Sequence, residues 1–228
     1  VLYRYGTEFN GCSVTAGEWL FPKKIVNSSK FCVIHNAVDR EKYKYSVQKR
    51  EEIRGSMGIT DQFVIGHVGN FCYQKNHYFL LDVFEEVHKK DPNTVLLLAG
   101  DGVRFEKVRQ IVAEKNLEDV VKLLGRRSDT DYLYQGMDAF LLPSNFEGLP
   151  IAGIEAQSAG LPCFMSDEIT KESKITEACY FIPLKSGAKY WAEEILDNRI
   201  ERQSAEFLDN AQQYDLANQD QELKSLIR

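Results

Sequence analysis

Two glutamates lie on either side of a predicted helix start in the segment NFEGLPIAGIEAQSAGLP, residues 145–162. Glu147 precedes a Gly-Leu-Pro turn, and Glu155 lies eight positions later on the predicted helix. Because Glu155 is four residues after Ile151, it shares the partly apolar face of that residue. A carboxylate on such a face needs hydrogen-bond donors, and sugar hydroxyls would supply them. The alternative is a mildly favourable acidic charge in the first half of a helix.

The start of this helix is short of capping groups. Pro150 suits the first helical turn, but Leu149 before it has no side-chain oxygen for the free backbone N–H groups. Free N–H groups, a glycine turn at Gly148 and a positive dipole end together suit a phosphate or another anion. The alternative is that water, Asn145 or Ser144 caps the helix.

Other polar side chains follow predicted strands. Asn70 and Lys75 come after the strand that begins at Phe63, and Lys75 stands at the start of the next helix. A cation at this position could meet a phosphate. Arg126 and Arg127 follow the third predicted strand, at the same edge of the sheet. For each of these cations the alternative is a solvated surface side chain.

These residues need a scaffold that brings strand ends together, and the hydrophobic pattern from Asp61 onward predicts one. The predicted strands are residues 63–69, 94–99, 120–124, 138–142, 162–165 and 179–182. The predicted helices are residues 77–87, after an N-cap at Asn76, and 105–112, 131–135, 150–159, 187–196 and 204–213. Alternating strands and helices predict a doubly wound α/β domain with a parallel sheet, in which ligands bind beyond the carboxyl ends of the strands.

The two ends of the chain do not follow this alternation. Residues 1–36 contain a predicted helix at Ala16–Lys24 and an apolar stretch at Phe31–Ile34, but no complete βαβ unit. Residues 37–60 are rich in Lys, Arg and Glu and are predicted to form a connector with one helix. From Tyr214 to Arg228 the sequence predicts a polar helix with too few apolar residues for a core, so it would lie across another surface.

Composition excludes several classes of protein. The chain has 228 residues, of which 43% are hydrophobic and 27% charged, so a sizeable core is available. A net charge of −6 without a Lys/Arg-rich block argues against a nucleic-acid-binding protein. The five cysteines are scattered and form no CxxC pair, which disfavours structural zinc and a disulfide framework and favours a cytoplasmic location. No apolar run reaches the roughly 20 residues of a membrane span.

Motifs for other chemistries are weak or missing. The sequence has neither a P-loop nor a GxSxG elbow, and the segment 100–102, Gly-Asp-Gly, is only a fragment of a dinucleotide fingerprint. Asp129 and Asp131 form a DxD pattern, but they stand at a predicted helix start, where Asp is a common cap. We therefore assign no metal site.

Four blocks of the sequence, taken in order, resemble the C-terminal half of a GT-B glycosyltransferase of the family 4 type. The blocks are VIHNAVD (33–39), IGHVGNFCYQKNH (65–77), LLLAGDG (96–102), and the run from VKLLGRR to SAGLP (121–162). The last block contains the family's pattern of two glutamates separated by seven residues, here Glu147 and Glu155. Shorter segments of the sequence are also similar to those of enzymes that build capsular polysaccharide or exopolysaccharide repeat units.

The resemblance implies two Rossmann-like domains, the C-terminal one for a nucleotide-sugar donor and the N-terminal one for an acceptor. Residues 1–36 are then a remnant of the N-terminal domain, residues 37–60 the interdomain connector and residues 61–205 the donor-binding domain. Residues 206–228 would form a C-terminal helix that crosses back to the N-terminal domain. Because the chain also lacks a starting Met, we expect a fragment of a longer protein that is inactive by itself.

The resemblance also assigns roles to the residues singled out above. Glu147 would contact the donor sugar as the catalytic glutamate, and Glu155 would hold the ribose. Lys75 would face the diphosphate, and Arg126 would line the base. The family commonly has Arg where this chain has Asn70. The absence of the arginine removes a charge and a bidentate donor from the phosphate site.

The helix start completes this predicted site. By resemblance, the backbone of Gly148, Leu149 and Ile151, with Pro150 at the start of the helix, would face the diphosphate. These four positions match the family's motif, which also contains the Gly-Leu-Pro turn.

The activity implied by the resemblance is that of a retaining glycosyltransferase with no metal in its catalytic step and no cofactor. Its donor would be a nucleoside diphosphate sugar, with UDP favoured over GDP, and its acceptor a polysaccharide or a lipid-linked glycan. The N-terminal domain would allow peripheral association with the inner face of a membrane. Two alternatives stay open: a sugar-nucleotide epimerase, and a non-catalytic nucleotide-sugar-binding module, which Asn70 would permit.

Overall fold

The computed structural model describes residues 5–202 and 204–219. In chain order the strands and α-helices are β1 (Phe9–Gly11), α1 (Val14–Leu20), α2 (Lys23–Val26), β2 (Phe31–Val33), α3 (Arg40–Tyr43), α4 (Val47–Ser56), β3 (Phe63–Val68), α5 (His77–Lys90), β4 (Thr94–Ala99), α6 (Phe105–Glu114), β5 (Val121–Gly125), α7 (Thr130–Gly136), β6 (Ala139–Leu142), α8 (Ile151–Ser158), β7 (Cys163–Ser166), β8 (Cys179–Ile182) and α9 (Gly187–Asp197). Short 3-10 helices lie at Lys171–Ser173, Leu184–Ser186 and Asp209–Tyr214.

The main sheet has six parallel strands in the order β5-β4-β3-β6-β7-β8. Its inner strands are apolar on both faces, and every residue of β4 and β6 is buried, as expected for a parallel sheet covered on both sides. The chain winds outward from β3 to β5, returns to the other side of β3, and then winds outward again from β6 to β8. The topological switch point therefore lies between β3 and β6.

Helices cover both faces of this sheet, which confirms the predicted doubly wound, Rossmann-like α/β fold. One core cluster joins the sheet to buried side chains of α5, α6 and α9, including Phe84, Val108 and Trp191. The other joins it to α4, α7 and α8, through residues such as Leu133 and Ile154. Burial of two apolar faces at roughly 25 cal/mol per Å² is the main source of stability for such a layered domain.

The observed elements correct the predicted start of the helix at Pro150. Helix α8 begins at Ile151, and Pro150 is its N-cap, with φ −80° and ψ 100°. The extended ψ keeps Pro150 just outside the helix, so Leu149 is one position too early to be the cap. Leu149 is instead buried in the core.

The predicted connector, residues 37–60, contains two helices rather than one. Helix α3 is only one turn long, and the side chain of Asp39 caps it by accepting a hydrogen bond from the backbone N–H of Lys42. A helix of four residues has no apolar repeat, so the hydrophobic pattern could not reveal it. Its last residue, Tyr43, is buried in the same core cluster as Ile53 of α4.

The N-terminal prediction was wrong in two respects. The predicted helix Ala16–Lys24 is two helices, because Phe21 is extended and Pro22 has no N–H with which to continue α1. Strands β1 and β2 pair in parallel with α1 and α2 between them, so this segment does contain a complete βαβ-type crossover. Strand β1 reads only Phe-Asn-Gly, which is too short for a periodic signal.

The predicted helix at 204–213 was also wrong. Residues 204–208 are not helical, and Phe207 forms an antiparallel bridge with Thr176. The 3-10 helix that follows ends at Tyr214, which is buried and donates a hydrogen bond to the carbonyl of Glu172. Residues 220–228 of the predicted C-terminal helix lie outside the described residues. The domain assignments, including the helix that crosses back, stay predictions.

Candidate functional site

The loops that leave β3 and β6 meet at the switch point of the sheet. The backbone N–H of Asn145 donates to the carbonyl of Gln74 over 2.8 Å, and the side-chain amide of Asn145 donates to the carbonyl of Tyr73 over 2.7 Å. Strands β3 and β6 are neighbours whose connections leave in opposite directions, and it is at such a switch point that doubly wound sheets bind ligands, beyond the carboxyl ends of the strands. Lys75 follows β3 and Glu147 follows β6, so both lie at this switch point.

Lys75 and Glu147 form an ion pair there. Nζ of Lys75 lies 2.5 Å from Oε1 of Glu147, and the exposed fractions of the two side chains are 15% and 7%. Two neutral donors complete the carboxylate: Oγ of Ser144 to Oε1 over 3.0 Å and Nε2 of Gln74 to Oε2 over 3.0 Å. A buried charge that is paired and hydrogen-bonded on both oxygens is stable in one orientation.

The start of α8 lies four residues beyond Glu147 and has no side-chain cap. The two residues that could have capped it are engaged elsewhere, since Ser144 donates to Glu147 and the amide of Asn145 donates to Tyr73. Capping by Ser144 or Asn145 is therefore wrong. The backbone N–H groups of Gly153 and Ile154 donate to the carbonyl of Pro150. Those of Ile151 and Ala152, with the positive end of the helix dipole, remain for an anion.

Helix α1 lies against the Gly-Leu-Pro turn. Oγ of Ser13 donates to the carbonyl of Gly148 over 2.7 Å, and Ser13 also caps α1 by accepting from the backbone N–H of Ala16. A Cβ atom on Gly148 would lie 2.9 Å from Cβ of Ala16, which is closer than side chains normally approach. The glycine therefore allows the N-terminal segment to approach the turn beside Glu147.

Glu155 accepts hydrogen bonds from two tyrosines. The hydroxyl of Tyr43 in α3 donates to Oε1 over 2.6 Å, and the hydroxyl of Tyr134 in α7 donates to Oε2 over 2.9 Å. Burial and the Glu155 carboxylate raise the pKa of both hydroxyls above the ordinary value, so they stay protonated and act as donors. The carboxylate is half-buried and still has free lone pairs on each oxygen.

Asn70 and Arg126 line one open cavity with Asp101 and Gly102, beyond the carboxyl ends of β3, β4 and β5. A Cβ atom on Gly102 would clash with the side-chain oxygen of Asn70, and Gly102 has φ +150°. The glycines of the Gly-Asp-Gly segment thus permit close packing of two loops. Lys75, Glu147 and the start of α8 follow the neighbouring strand ends, so these groups share one edge of the sheet with Asn70 and Arg126, whereas Glu155 lies within α8.

A known protein family matches the part of the chain that contains these residues. Residues 49–213 match the family model of the glycosyl transferases group 1. The chain belongs to this family. Each of the predicted site residues falls within the matched range.

Individual proteins are also similar to a large part of this chain. The putative glycosyltransferase EpsF of Bacillus subtilis (strain 168) is 34% identical over 167 residues, which cover 73% of this chain and 44% of that protein. The UDP-Gal:alpha-D-GlcNAc-diphosphoundecaprenol alpha-1,3-galactosyltransferase of Escherichia coli is 33% identical over 146 residues, which cover 62% of this chain and 38% of that protein. The chain thus spans less than half the length of these two relatives.

A solved structure of similar fold is that of Anabaena Alr3699/HepE in complex with UDP and glucose. It superposes with a TM-score of 0.82 at 20% identity, over 98% of this chain and 63% of that chain. At that identity the likeness shows the fold alone. Together with the family match, it confirms the resemblance to the C-terminal half of a GT-B glycosyltransferase.

The remaining predictions about the site differ in outcome. Asp129 does stand at the N-cap position of α7, but its carboxylate forms two hydrogen bonds with Arg127, of 2.8 and 2.6 Å, instead of capping the helix. Among residues 5–202 and 204–219, no cluster of three or more His, Cys, Asp or Glu side chains could hold a metal ion. Within those ranges no helix has the length and apolar character to cross a bilayer.

Sequence reasoning missed four side chains that hold the two glutamates. Gln74 and Ser144 adjoin residues that were singled out, so their position in the sequence gave a signal. Tyr134 lies on a predicted helix but at a spacing that indicated only a core position. Tyr43 gave no signal, because it lies 112 residues from Glu155 in a segment interpreted as a connector.

Proposed function

We propose that the protein is a retaining glycosyltransferase that transfers a sugar from a nucleoside diphosphate sugar to a polysaccharide or lipid-linked acceptor. The observation that carries this proposal is the Lys75–Glu147 pair beside the uncapped start of α8, at the switch point of the sheet. The names of two similar proteins support it: one is a galactosyltransferase of UDP-Gal and a diphosphoundecaprenol acceptor, and the other was solved with UDP and glucose.

The chemistry of the leaving group gives a role to Lys75 and to the start of α8. When the bond between the sugar and the diphosphate breaks, negative charge grows on the β-phosphate. Lys75 and the N–H groups of the first turn of α8 are fixed before the reaction and stabilise that charge electrostatically. No step then requires a metal ion, and retention of configuration follows the family resemblance of the sequence.

Glu147 positions the donor sugar. In the proposed complex the ammonium of Lys75 shares its hydrogen bonds with the phosphate, which frees lone pairs of Oε1 for sugar hydroxyls. Ser144 and Gln74 hold the carboxylate in place while this exchange occurs. The sugar is thereby oriented relative to the acceptor, and such positioning lowers the entropic part of the barrier.

The nucleoside part occupies the adjoining strand ends. Glu155 accepts hydrogen bonds from the ribose, and Arg126 lines the base in the cavity it shares with Asn70. UDP is favoured over GDP. With Asn70 in place of an arginine, the phosphate site has one cation fewer, so we propose weak but measurable binding of the free nucleotide.

The acceptor is bound by parts of the full-length protein beyond the matched region, which makes up less than half of the related proteins. A lipid-linked acceptor would bring the protein to the inner face of a membrane as a peripheral protein. Polysaccharide or exopolysaccharide assembly is the process that this proposal favours.

Isothermal titration of the 228-residue chain with UDP and with GDP tests the donor site. UDP is expected to bind in the absence of metal ions, and a Glu155→Gln variant is expected to bind it more weakly. A Glu193→Gln variant changes an exposed glutamate on α9 and serves as the control. Failure of both nucleotides to bind at millimolar concentration would contradict the site assignment.

Mass spectrometry of the full-length protein with candidate UDP-sugars tests the reaction. Transfer is expected only when a glycan or lipid-linked acceptor is present. Conversion of one sugar nucleotide into another without an acceptor would instead identify an epimerase. Binding without either reaction would identify a binding module.

A further inference from the structure

Glu155 is held by two tyrosines from different parts of the chain. The phenol of Tyr43 comes from α3 in the predicted connector, and that of Tyr134 from α7 in the sheet domain. Each hydroxyl donates to a different carboxylate oxygen, over 2.6 and 2.9 Å. The two rings also pack edge-to-face, with centroids 5.7 Å apart.

We infer that Tyr43 is a positioning residue, which fixes the Glu155 carboxylate so that its remaining lone pairs accept both hydroxyls of the nucleotide ribose. This inference rests on the proposed function, since it takes a nucleotide as the ligand of Glu155. It adds the segment Arg40–Ser46 to the nucleotide site and makes that segment responsible for selection of ribose over deoxyribose.

The first argument for this role is the hydrogen-bonding capacity of the Glu155 carboxylate. An ionised carboxylate has about four lone-pair sites, two on each oxygen. The tyrosines occupy one site on each oxygen, which leaves one on each. Two neighbouring hydroxyls can donate to these two sites at once, whereas a 2′-deoxyribose fills only one of them.

The second argument is that hydrogen bonds hold the backbone around Tyr43 in place. The side-chain amide of the fully buried Gln135 donates to the carbonyls of Tyr43 and Lys44 over 3.0 and 3.3 Å. Its oxygen accepts from the backbone N–H of Ser46 over 3.0 Å. The phenol is thus anchored at its backbone as well as at its hydroxyl, so little freedom is lost when Glu155 engages a ligand.

The rigidity of the phenols distinguishes this arrangement from ordinary core packing. Tyr43 is 7% exposed and Tyr134 fully buried, yet both hydroxyls donate to the half-buried carboxylate of Glu155. Phenylalanine would fill the same volume without a buried hydroxyl. The Tyr43 hydroxyl therefore serves the orientation of Glu155, whereas the Tyr134 hydroxyl also lies 3.2 Å from the carbonyl oxygen of Ala152.

Calorimetric titration of four versions of the 228-residue chain with UDP and 2′-deoxy-UDP tests the inference. The versions are the wild type, Tyr43→Phe, Tyr134→Phe and the control Tyr190→Phe. Tyr190 suits as a control because it also has a hydroxyl beside a glutamate, Glu194, but is exposed on α9. If UDP does not bind and GDP does, GDP and 2′-deoxy-GDP replace the uracil pair.

The wild type and Tyr190→Phe are expected to bind the ribonucleotide about tenfold more tightly than the deoxynucleotide, as one hydrogen bond to a charged group predicts. In Tyr43→Phe this ratio should fall to about twofold, through weaker binding of the ribonucleotide with little change for the deoxynucleotide. Tyr134→Phe should change the ratio in the same direction, and it provides the test if Tyr43→Phe does not fold.

Four outcomes would overturn the inference, and they separate it from the proposed function. A wild-type ratio near one, or an unchanged ratio in both variants while UDP still binds, would refute the role of Tyr43 and leave the nucleotide site intact. Tighter ribonucleotide binding by Tyr43→Phe would show that the phenol blocks the site. Absence of nucleotide binding by the wild type would refute the proposed donor site and this inference together.

Discussion

The ammonium of Lys75 and the carboxylate of Glu147 form a buried ion pair, with 2.5 Å between Nζ and Oε1. Each group is therefore neutralised by the other in the absence of a ligand. A phosphate that engages Lys75 and a sugar that engages Glu147 would replace this contact in the same step. The two charges thus hold each other in position when no ligand is bound. The contribution of the pair to the free energy of unfolding can be measured separately from ligand binding.

Removal of Lys75 is expected to destabilise the fold more than removal of the whole pair. Lys75→Met leaves the Glu147 carboxylate buried with neutral donors alone, which costs about 3 kcal/mol of unfolding free energy. The double variant Lys75→Met/Glu147→Gln should recover most of this loss, because no buried charge remains. Urea denaturation of the variants measures both effects.

The exposed Lys89 gives the control for this cycle. It pairs with Glu85 and Glu86 on the surface of α5 and its side chain is 56% exposed. Lys89→Met should change the unfolding free energy by less than about 1 kcal/mol. A double variant at Lys75 and Glu147 that is no more stable than Lys75→Met would contradict the importance of the unpaired charge.

The strands could be predicted well from the sequence, and the contacts at their ends only in part. Strands β4 and β8 match their predicted bounds, because a parallel sheet covered on both faces requires continuous apolar runs. The strand-end rule correctly placed Lys75 and Glu147 at one edge. Their direct contact depends on β3 and β6 being neighbours, and the order of strands in a sheet is not encoded in any local pattern.

The Tyr43–Glu155 contact shows a different limit of sequence reasoning. A one-turn helix has no repeat, and its partner lies 112 residues away. The predicted helix across Pro22 failed for another reason, since a proline inside a helical segment breaks it. Short elements and breaks are set by single residues, whereas the main sheet and its helices are set by repeated ones.

Addition of a guanidinium at position 70 is expected to tighten nucleotide binding. Asn70 is exposed and lines the same cavity as Arg126, so an arginine has room to reach a phosphate. Asn70→Arg should lower the Kd for UDP about tenfold at low salt, since hydrogen bonds between charged groups contribute about 1.5–3 kcal/mol. The neutral control Asn70→Gln should bind as the wild type does, and equal affinity of all three would contradict a phosphate near residue 70.

The contact between α1 and the Gly-Leu-Pro turn is expected to tolerate no side chain at residue 148. Gly148→Ala would place a Cβ atom 2.9 Å from that of Ala16, so either the turn or α1 must shift. We expect a loss of about 1–3 kcal/mol in unfolding free energy and weaker UDP binding, because the displaced turn includes the start of α8. Thermal denaturation and calorimetry measure the two effects.

Gly55 provides the matched control for this substitution. It lies within α4, and a Cβ atom there would meet nothing within 4 Å. Gly55→Ala should therefore raise the unfolding free energy by about 0.5–1 kcal/mol and leave UDP binding unchanged. If Gly148→Ala were as stable as the wild type, the close approach of Ala16 would not constrain the turn.

Two buried histidines next to the ion pair are expected to make the fold sensitive to acid. His77 is stacked on Phe71, and burial followed by the charges of Lys75 and Arg104 lowers its pKa to about 3. Burial and the neighbouring His77 also lower the pKa of His67 well below the ordinary value. The unfolded chain, with histidine pKa values near 6.5, then binds more protons than the folded one. The contribution of these neutral histidines to the free energy of unfolding is fully present above about pH 6.5 and is lost as the pH falls towards 3.

Substitution of His77 by phenylalanine should remove part of this dependence. The slope of unfolding free energy against pH between pH 5 and 6 should fall by about 1 kcal/mol per unit, which corresponds to one histidine proton. That window lies above the range in which most carboxylates titrate. Urea denaturation at several pH values gives the slope for both proteins. A variant whose stability shifts equally at every pH has lost only the packing of the ring on Phe71, and that result would contradict the titration of His77 as the cause.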